Sequence, residues 1–259
     1  MDPATALAEF DRQLRNVVRP SADGGRYERV GRVVRCVAAT PDGWNAVEWS
    51  NLDESTADRE IAAQAEFFAG QGRSFEWKYY AYDKPADLPD RLRAAGLVPE
   101  PEEALMVAAV ADLPTDVPVP EGVELHTVTD DSGLALVRQV HDEVFGDDHS
   151  GPVASMRERL RQDPDALAPV LATAGGQPVC ASRVDFHAGT DFASLWGGGT
   201  LPQWRRRGIY RAMVAYRARL AAERGYRYLR TDALPTSRPI LERLGFVQLT
   251  TTIPFSPPD

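Results

Sequence analysis

The sequence holds no apolar run approaching the roughly 20 residues that a membrane-spanning helix needs, so it predicts a soluble protein with no membrane partner. Cysteine is scarce, with only Cys36 and Cys180 present. The opening Met-Asp-Pro-Ala-Thr-Ala carries neither the basic region nor the apolar stretch of a secretory signal. Together these point to a reducing, cytoplasmic location. Positive charge is in deficit: 29 Lys and Arg stand against 38 Asp and Glu, a net charge of −9. A duplex nucleic acid needs a broad basic face, so no nucleic-acid partner is expected. No G-x-x-x-x-G-K-[ST] occurs and no G-x-G-x-x-G opens a helix after a strand, which removes the commonest nucleotide-binding loops. The segment His141-Asp-Glu-Val-Phe-Gly-Asp-Asp-His149 mixes imidazoles with carboxylates but lacks the H-E-x-x-H spacing of a helical metal site. No metal is expected.

What is present suffices for two domains, since 259 residues exceed the usual domain of about 100 to 150. Apolar residues at 43% and charged residues at 26% match soluble globular chains. Proline and acidic residues concentrate at 98–103 and 113–122, a composition that favours extended, poorly packing connections. This places a linker at 112–121 between a domain over 1–111 and another over 122–259. In the first half, apolar spacing predicts helices over 6–16, 56–69 and 86–95 and strands over 32–39, 44–49 and 75–82. In the second, strands are expected over 123–128, 168–173, 178–187, 191–200, 226–232 and 246–254. Helices are expected over 131–145, 153–162, 206–224 and 237–244. That alternation describes a mixed α/β fold. The segment Asp83-Lys-Pro-Ala-Asp-Leu-Pro-Asp-Arg-Leu-Arg-Ala-Ala-Gly-Leu-Val98 can be laid without a gap over Asp232-Ala-Leu-Pro-Thr-Ser-Arg-Pro-Ile-Leu-Glu-Arg-Leu-Gly-Phe-Val247. Both halves thus repeat one strand, helix, glycine, strand unit.

The most informative segment joins a strand, Phe192-Ala-Ser-Leu-Trp-Gly-Gly-Gly-Thr200, to a helix with apolar residues at Ile209, Met213, Tyr216 and Leu220. A basic turn, Gln203-Trp-Arg-Arg-Arg-Gly-Ile-Tyr210, lies between them. Strand, turn and helix in this order aim the helix's free N–H groups and the positive end of its dipole into the turn, where an anion fits. Arg205, Arg206, Arg207 and Arg211 add full charges there, and Gly208 lets the backbone approach a phosphate.

The run Leu201-Pro-Gln-Trp-Arg-Arg-Arg-Gly-Ile-Tyr-Arg211 resembles the Arg/Gln-x-x-Gly-x-Gly/Ala motif of the GNAT N-acetyltransferase superfamily, with Arg205 and Gly208 at its first and fourth positions. A second signature of that family, a helix ending in Leu-Gly-Phe before the last strand, is matched by Arg238-Pro-Ile-Leu-Glu-Arg-Leu-Gly-Phe246. The resemblance covers 123–254. It implies a GNAT-like central mixed sheet flanked by helices over 122–259, and, through the internal repeat, two tandem GNAT-like domains. It implies acetyl-CoA as cosubstrate and an amine, on a small molecule or a protein, as acceptor, and it leaves room for a homodimer. Gly198, Gly199 and Thr200 would line the splayed strand that pairs with the pantetheine arm. Arg205, Arg206, Arg207, Gly208, Ile209, Tyr210 and Arg211 would hold the diphosphate.

The corresponding turn of the first half, Asn51-Leu-Asp-Glu-Ser-Thr-Ala-Asp-Arg-Glu60, has four carboxylates and no glycine, so it would repel a diphosphate and marks 1–111 as a degenerate or partner domain. The strand over 75–82 is read as core rather than as the wall of an acceptor pocket. Acyl transfer to an amine needs a deprotonated amine, a polarised carbonyl and a protonated leaving sulfur. The family's usual tyrosine acid and asparagine are replaced by Leu241 and Leu234, and its strand glutamate by Ser194. The candidates left are Asp232, as base or amine-orienting carboxylate set against a capping role, and Tyr210, as replacement acid. Asp147 and Asp148 are candidates for attracting a cationic amine, weighed evenly against a solvated acidic loop. Cys180 and His187 are read as structural. Two further readings stay open: an inactive acyl-CoA-binding or interaction module, and nucleic-acid binding through Arg205–Arg207, which the acidic total opposes.

Overall fold

The structure of the protein is a computed structural model that describes residues 1–21, 24–41 and 43–258. Helix α1 (Pro3–Phe10) runs into one π-helical turn (Asp11–Arg15). Strands β1 (Arg19–Pro20), β2 (Arg26–Val30), β3 (Val33–Val37) and β4 (Ala46–Ser50) follow, then helix α2 (Ala57–Ala69), strand β5 (Glu76–Tyr80), helix α3 (Leu88–Ala94) and strands β6 (Val98–Pro99) and β7 (Glu103–Ala109). The second half comprises β8 (Val123–Thr127), α4 (Asp131–Phe145), α5 (Ser150–Gln162), β9 (Leu167–Ala174), β10 (Gln177–Phe186), β11 (Phe192–Thr200), α6 (Ile209–Glu223), β12 (Tyr228–Ala233), α7 (Arg238–Arg243) and β13 (Val247–Ser256). The chain divides into two compact units. The N-terminal unit holds Asp2–Met106, Asp232–Arg238 and the stretch from Gln248; the C-terminal unit holds Val107–Thr231 and Pro239–Val247.

In the N-terminal unit, β1 to β4 form an antiparallel meander. Strand β5 lies parallel to β4, with Val47 opposite Trp77, and β13 lies antiparallel to β5, with Phe255 opposite Trp77. A parallel pair needs a crossover connection, and α2 supplies it. Its buried residues Ala57, Ile61, Gln64 and Phe68 recur at helical spacing, so one face meets a core of Val33, Val47, Trp77, Leu88, Leu92 and Phe255. Trp77 and Tyr80 are thus core residues, as read from the sequence. Helix α1 is capped by Asp2, whose carboxylate accepts from the Thr5 N–H at 2.8 Å.

In the C-terminal unit, β8, β9, β10 and β11 form a second antiparallel meander, and β12 lies parallel to β11. Here α6 is the crossover. Two helical layers cover opposite faces, as alternation along β9 shows: Leu171 packs with Leu134, Val137 and Val140 of α4, whereas its neighbours Val170 and Ala172 pack with Ile209 and Met213 of α6. The predicted α6 stripe is therefore the packed one, with Tyr216 and Leu220 half-buried against the same cluster. Helix α4 starts at Asp130, whose carboxylate accepts from the Gly133 N–H at 2.7 Å. The two segments that align in sequence fold alike: α3 is followed by Gly96 and β6, and α7 by Gly245 and β13, each glycine at positive φ. This is the architecture of a mixed sheet flanked by helices that the resemblance implies.

Candidate functional site

The site of the C-terminal unit begins where β11 and β12 part. Their parallel ladder pairs Phe192, Ala193 and Ser194 with Tyr228, Leu229 and Arg230, and among the described residues it goes no further, although β11 continues to Thr200. Thr231 Oγ1 donates to the Leu195 carbonyl at 3.0 Å and closes the last point of contact. On its other edge β11 stays paired with β10, Trp196 opposite Arg183 and Thr200 opposite Cys180, with an irregularity between. The stretch from Trp196 to Thr200 therefore has one edge held and one edge free of a strand partner.

The three glycines of this stretch are fixed by what presses on them. Gly197 sits at φ +58°, and a Cβ there would lie 3.1 Å from His141 Cε1. At Gly198 it would lie 3.0 Å from Tyr210 Cε2, and at Gly199 2.9 Å from Val144 Cγ1. Helix α4 thus packs on Gly197 and Gly199 and the first turn of α6 on Gly198. Gly198 itself remains exposed. Thr200 Oγ1 donates to Cys180 Sγ at 3.1 Å, and burial pushes that thiol up to about 11, so it is a packed, protonated group.

After Thr200 the chain makes one 3-10 turn (Pro202–Trp204) and enters α6 through two left-handed residues, Arg206 at φ +61° and Gly208 at φ +86°. A positive φ is uncommon in a residue with a Cβ. Alternating hands of this kind turn successive N–H groups toward one point, an anion-binding concavity. Helix α6 has no side-chain cap. Among the described residues, the backbone N–H groups of Gly208, Ile209, Tyr210 and Arg211 donate no hydrogen bond. Arg205 is used structurally, donating from Nε to the Thr200 carbonyl at 3.0 Å, and Arg207 lies over the Trp204 ring at 4.7 Å. Arg206 and Arg211 are exposed and make no ion pair among the described residues. Unused donors, a helix dipole and two uncommitted guanidinium groups thus converge at the end of the free strand edge.

Tyr210 occupies the border of this region, its ring against Gly198. Burial raises its phenol above the ordinary value while Arg217 opposes the shift, so the group is protonated at neutral pH. Arg217, two turns along the same helix, is 1% exposed. It donates from Nε to the Met213 carbonyl at 3.1 Å and from Nη1 to the Arg183 carbonyl at 3.2 Å, leaving a buried Nη2 without a partner. Ser194 is fully buried. Its Oγ accepts from Arg230 Nε at 2.9 Å and lies 2.7 Å from His187 Nε2. A guanidinium only donates, so the serine oxygen is the acceptor in that bond. That arrangement ties the half-buried His187 to the buried Ser194.

Asp232 has a side chain only 3% exposed and belongs to the N-terminal unit, whereas Tyr210 belongs to the C-terminal one. Its Oδ2 lies 3.5 Å from Lys78 Nζ, and the same ammonium contacts Glu103 at 2.7 Å and Glu76 at 3.8 Å. Burial opposes the charge on Lys78, but Asp232, Glu76 and Glu103 outweigh it and the lysine stays protonated. Glu76 is pushed up to about 7 by burial, with Lys78 opposing. Leu241 is buried core and Leu234 is exposed. In the segment 141–149, Asp142 accepts from Arg138 Nε at 3.2 Å and from the His149 N–H at 2.8 Å, while Asp148 accepts from Arg138 Nη2 at 3.1 Å and from the Ser150 N–H at 2.9 Å. These two carboxylates shape the loop. His141, weighed from the sequence only as a metal ligand, donates from Nε2 to the Gly197 carbonyl at 2.9 Å, and burial pushes its pKa down to about 4. Among the described residues no group of three or more His, Cys, Asp or Glu side chains is arranged to hold a metal.

No known family model matches the sequence, and no curated protein does. Solved structures do match in fold. A GCN5-related N-acetyltransferase from Kribbella flavida superposes with a TM-score of 0.73 at 18% identity, over 99% of this chain and 96% of that one. A GCN5-related N-acetyltransferase from Sphaerobacter thermophilus gives 0.64 at 17% identity, over 90% and 77%. A tandem GNAT protein from the clavulanic acid biosynthesis pathway gives 0.61 at 14%, over 91% and 83%. The fold is that of the GCN5-related N-acetyltransferases.

Proposed function

We propose that the C-terminal unit is an acetyl-CoA-dependent N-acetyltransferase that passes the acetyl group to an amine by direct attack in a ternary complex. The observation that carries this reading is the free edge of β11 over 196–200 running into an uncapped α6 whose first N–H groups, over 208–211, donate no hydrogen bond among the described residues. A pantetheine arm needs backbone partners along an unpaired strand, and a diphosphate needs the donors and charge of a helix N-terminus. Gly198, Gly199 and Thr200 would supply the first; Arg206, Arg207, Gly208, Ile209, Tyr210 and Arg211 the second, with Arg205 bracing the turn through Thr200.

Acetyl-CoA, when bound, supplies an acetyl thioester whose sulfur must be protonated or stabilised as it leaves. Tyr210 is the candidate acid because its phenol is protonated, stands at the free strand edge, and is held by packing on Gly198. The ion pair with Lys78 supports a structural part for Asp232, so loss of the amine proton is left to solvent. Orientation of amine and thioester can by itself lower the barrier by several kcal/mol, so modest acid and base equipment suffices. A second reading, an acyl-CoA-binding module without turnover, is favoured by the apolar Leu241 and the buried Ser194. Thermal shift with acetyl-CoA tests binding, and release of free thiol in the presence of an amine panel tests turnover. Binding with no thiol release across the panel would replace the first reading by the second; no binding would remove both.

A further inference from the structure

The N-terminal unit contains the same device in miniature, and its own side chains occupy it. Strands β4 and β5 are parallel and part as β11 and β12 do: their ladder pairs Ala46 with Glu76 and Val47 with Trp77, and among the described residues it stops there. The next carbonyl on β4, that of Glu48, accepts from Arg15 Nε at 2.8 Å. From there the Arg15 guanidinium crosses the gap. It lies 3.7 Å over the Tyr80 ring, donates from Nη1 to Tyr82 Oη at 2.7 Å, and donates from Nη2 to both oxygens of Asp83 at 3.1 and 3.0 Å. Asp83 in turn accepts from the Tyr80 N–H of β5 at 3.0 Å. One carbonyl of β4 and one N–H of β5 are therefore bridged through an Arg15–Asp83 pair whose side chains are 1% and 4% exposed.

The turn before α2 carries its own carboxylate as well. In the turn before α2, Asp53 Oδ1 accepts from the Ser55 N–H at 3.0 Å, from Ser55 Oγ at 2.7 Å and from Thr56 Oγ1 at 2.9 Å. The Asp53 N–H goes to Thr56 Oγ1, and the N–H groups of Thr56 and Ala57 go to the Asp53 carbonyl. Where donors stand unused at 208–211, the Ser55 N–H of this turn is spent on the Asp53 carboxylate and the Thr56 and Ala57 N–H groups on the Asp53 backbone carbonyl. A diphosphate entering here would have to displace hydrogen bonds the turn already makes and approach Asp53, Glu54, Asp58 and Glu60.

We infer that Arg15 and Asp53 are built-in occupants of the N-terminal unit's cleft, so that each chain takes one acyl-CoA, at 196–211. The inference rests on the proposed function of the C-terminal unit. The π-helical turn that carries Arg15 follows from it, because the Asp11 carboxylate, one π-helical turn back, accepts from Arg15 Nη1 at 3.0 Å and from Tyr82 Oη at 2.7 Å and so holds the guanidinium in the gap.

Three measurements on the full chain test it. Calorimetric titration with coenzyme A should give one site per chain, and hydrogen exchange should show protection gained at 196–211 and none at 48–60. Two sites, or protection at 48–60, would overturn the inference; no saturable binding would overturn the functional reading on which it rests. Arginine labelling with phenylglyoxal, read by mass spectrometry, should modify Arg206 and Arg211 in the native chain, with coenzyme A protecting both. Arg15 should stay unmodified with or without the ligand. Labelling of Arg15 in the native chain would show an opening cleft and refute a built-in occupant.

Discussion

Single residues at the site carry conflicts between stability and binding, and these conflicts are testable. Arg206 holds a left-handed φ of +61°, a conformation that costs a residue with a Cβ about 1 kcal/mol or more. Its guanidinium is exposed and makes no ion pair among the described residues that would offset that cost. Arg206→Gly should therefore raise stability by about 1 kcal/mol in denaturant titration while weakening coenzyme A binding, the opposite movements expected of a strained ligand-binding residue. A variant that loses both together would show that Arg206 is held for structural reasons. Tyr210→Phe keeps the ring on Gly198 and removes only the hydroxyl, so kcat should fall by roughly 10- to 100-fold with little change in KM for acetyl-CoA; unchanged turnover would remove the phenol from the chemistry. The sequence showed which residue types gather here but not what constrains them. Gly197, Gly198 and Gly199 were legible as a weakened strand, yet nothing in the strand itself marks the side chains that press on them, His141, Tyr210 and Val144, which come from two helices. Arg217 was invisible for a similar reason: nothing in Met213-Val-Ala-Tyr-Arg217 marks a fully buried guanidinium.

At the scale of elements, the second half was read closely because its strands and helices carry clean periods. The informative departures lie where another demand overrides the period. Helix α6 was expected from 206 and starts at Ile209, because the left-handed Arg206 and Gly208 turn the backbone out of the helix and leave its first N–H groups unused. Strand β7, Glu103–Ala109, was not expected from the sequence. Its Ala104-Leu-Met-Val-Ala108 is buried throughout and so shows no alternation, and a Pro- and acid-rich stretch precedes it. Strand β2, Arg26-Tyr-Glu-Arg-Val30, was missed for the opposite reason, since it is exposed and carries four polar or aromatic residues of five. The unused α6 terminus makes its own prediction. Arg211 is exposed on the first turn with no ion-pair partner among the described residues, so Arg211→Gln should leave Tm unchanged. It should weaken coenzyme A binding by about 5- to 30-fold at low salt, the worth of one charge-assisted contact, and less at high salt. An equal loss at both ionic strengths would place Arg211 outside the anion cradle.

At the scale of the whole molecule, local sequence could not supply strand partners: β13 pairs with β5, and Thr252 Oγ1 donates to the Tyr79 carbonyl 173 residues away. What the two units share in fold they do not share in electrostatics. In the C-terminal unit, burial holds His141 neutral, its pKa down from 6.5 to about 4. Below pH 6.5 the unfolded chain takes up a proton that the folded unit refuses, so this contribution is complete above 6.5 and is lost as pH falls toward 4. In the N-terminal unit, burial raises Glu76 from 4.5 to about 7. There the folded unit holds a proton that the unfolded chain releases, so the contribution is complete below 4.5 and is lost as pH rises through 7. Each shift corresponds to a term on the order of 3 kcal/mol. The two units should consequently respond to pH in opposite directions across the window from 4.5 to 7. Hydrogen exchange resolves them separately, through β5 for one and β11 for the other. Glu76→Gln should abolish the decline of β5 protection between pH 5 and 8 and leave β11 untouched, whereas His141→Asn should flatten the response of β11 between pH 4 and 6.5. Parallel pH profiles for β5 and β11 in the unmodified chain would mean that neither buried group governs the unit that contains it.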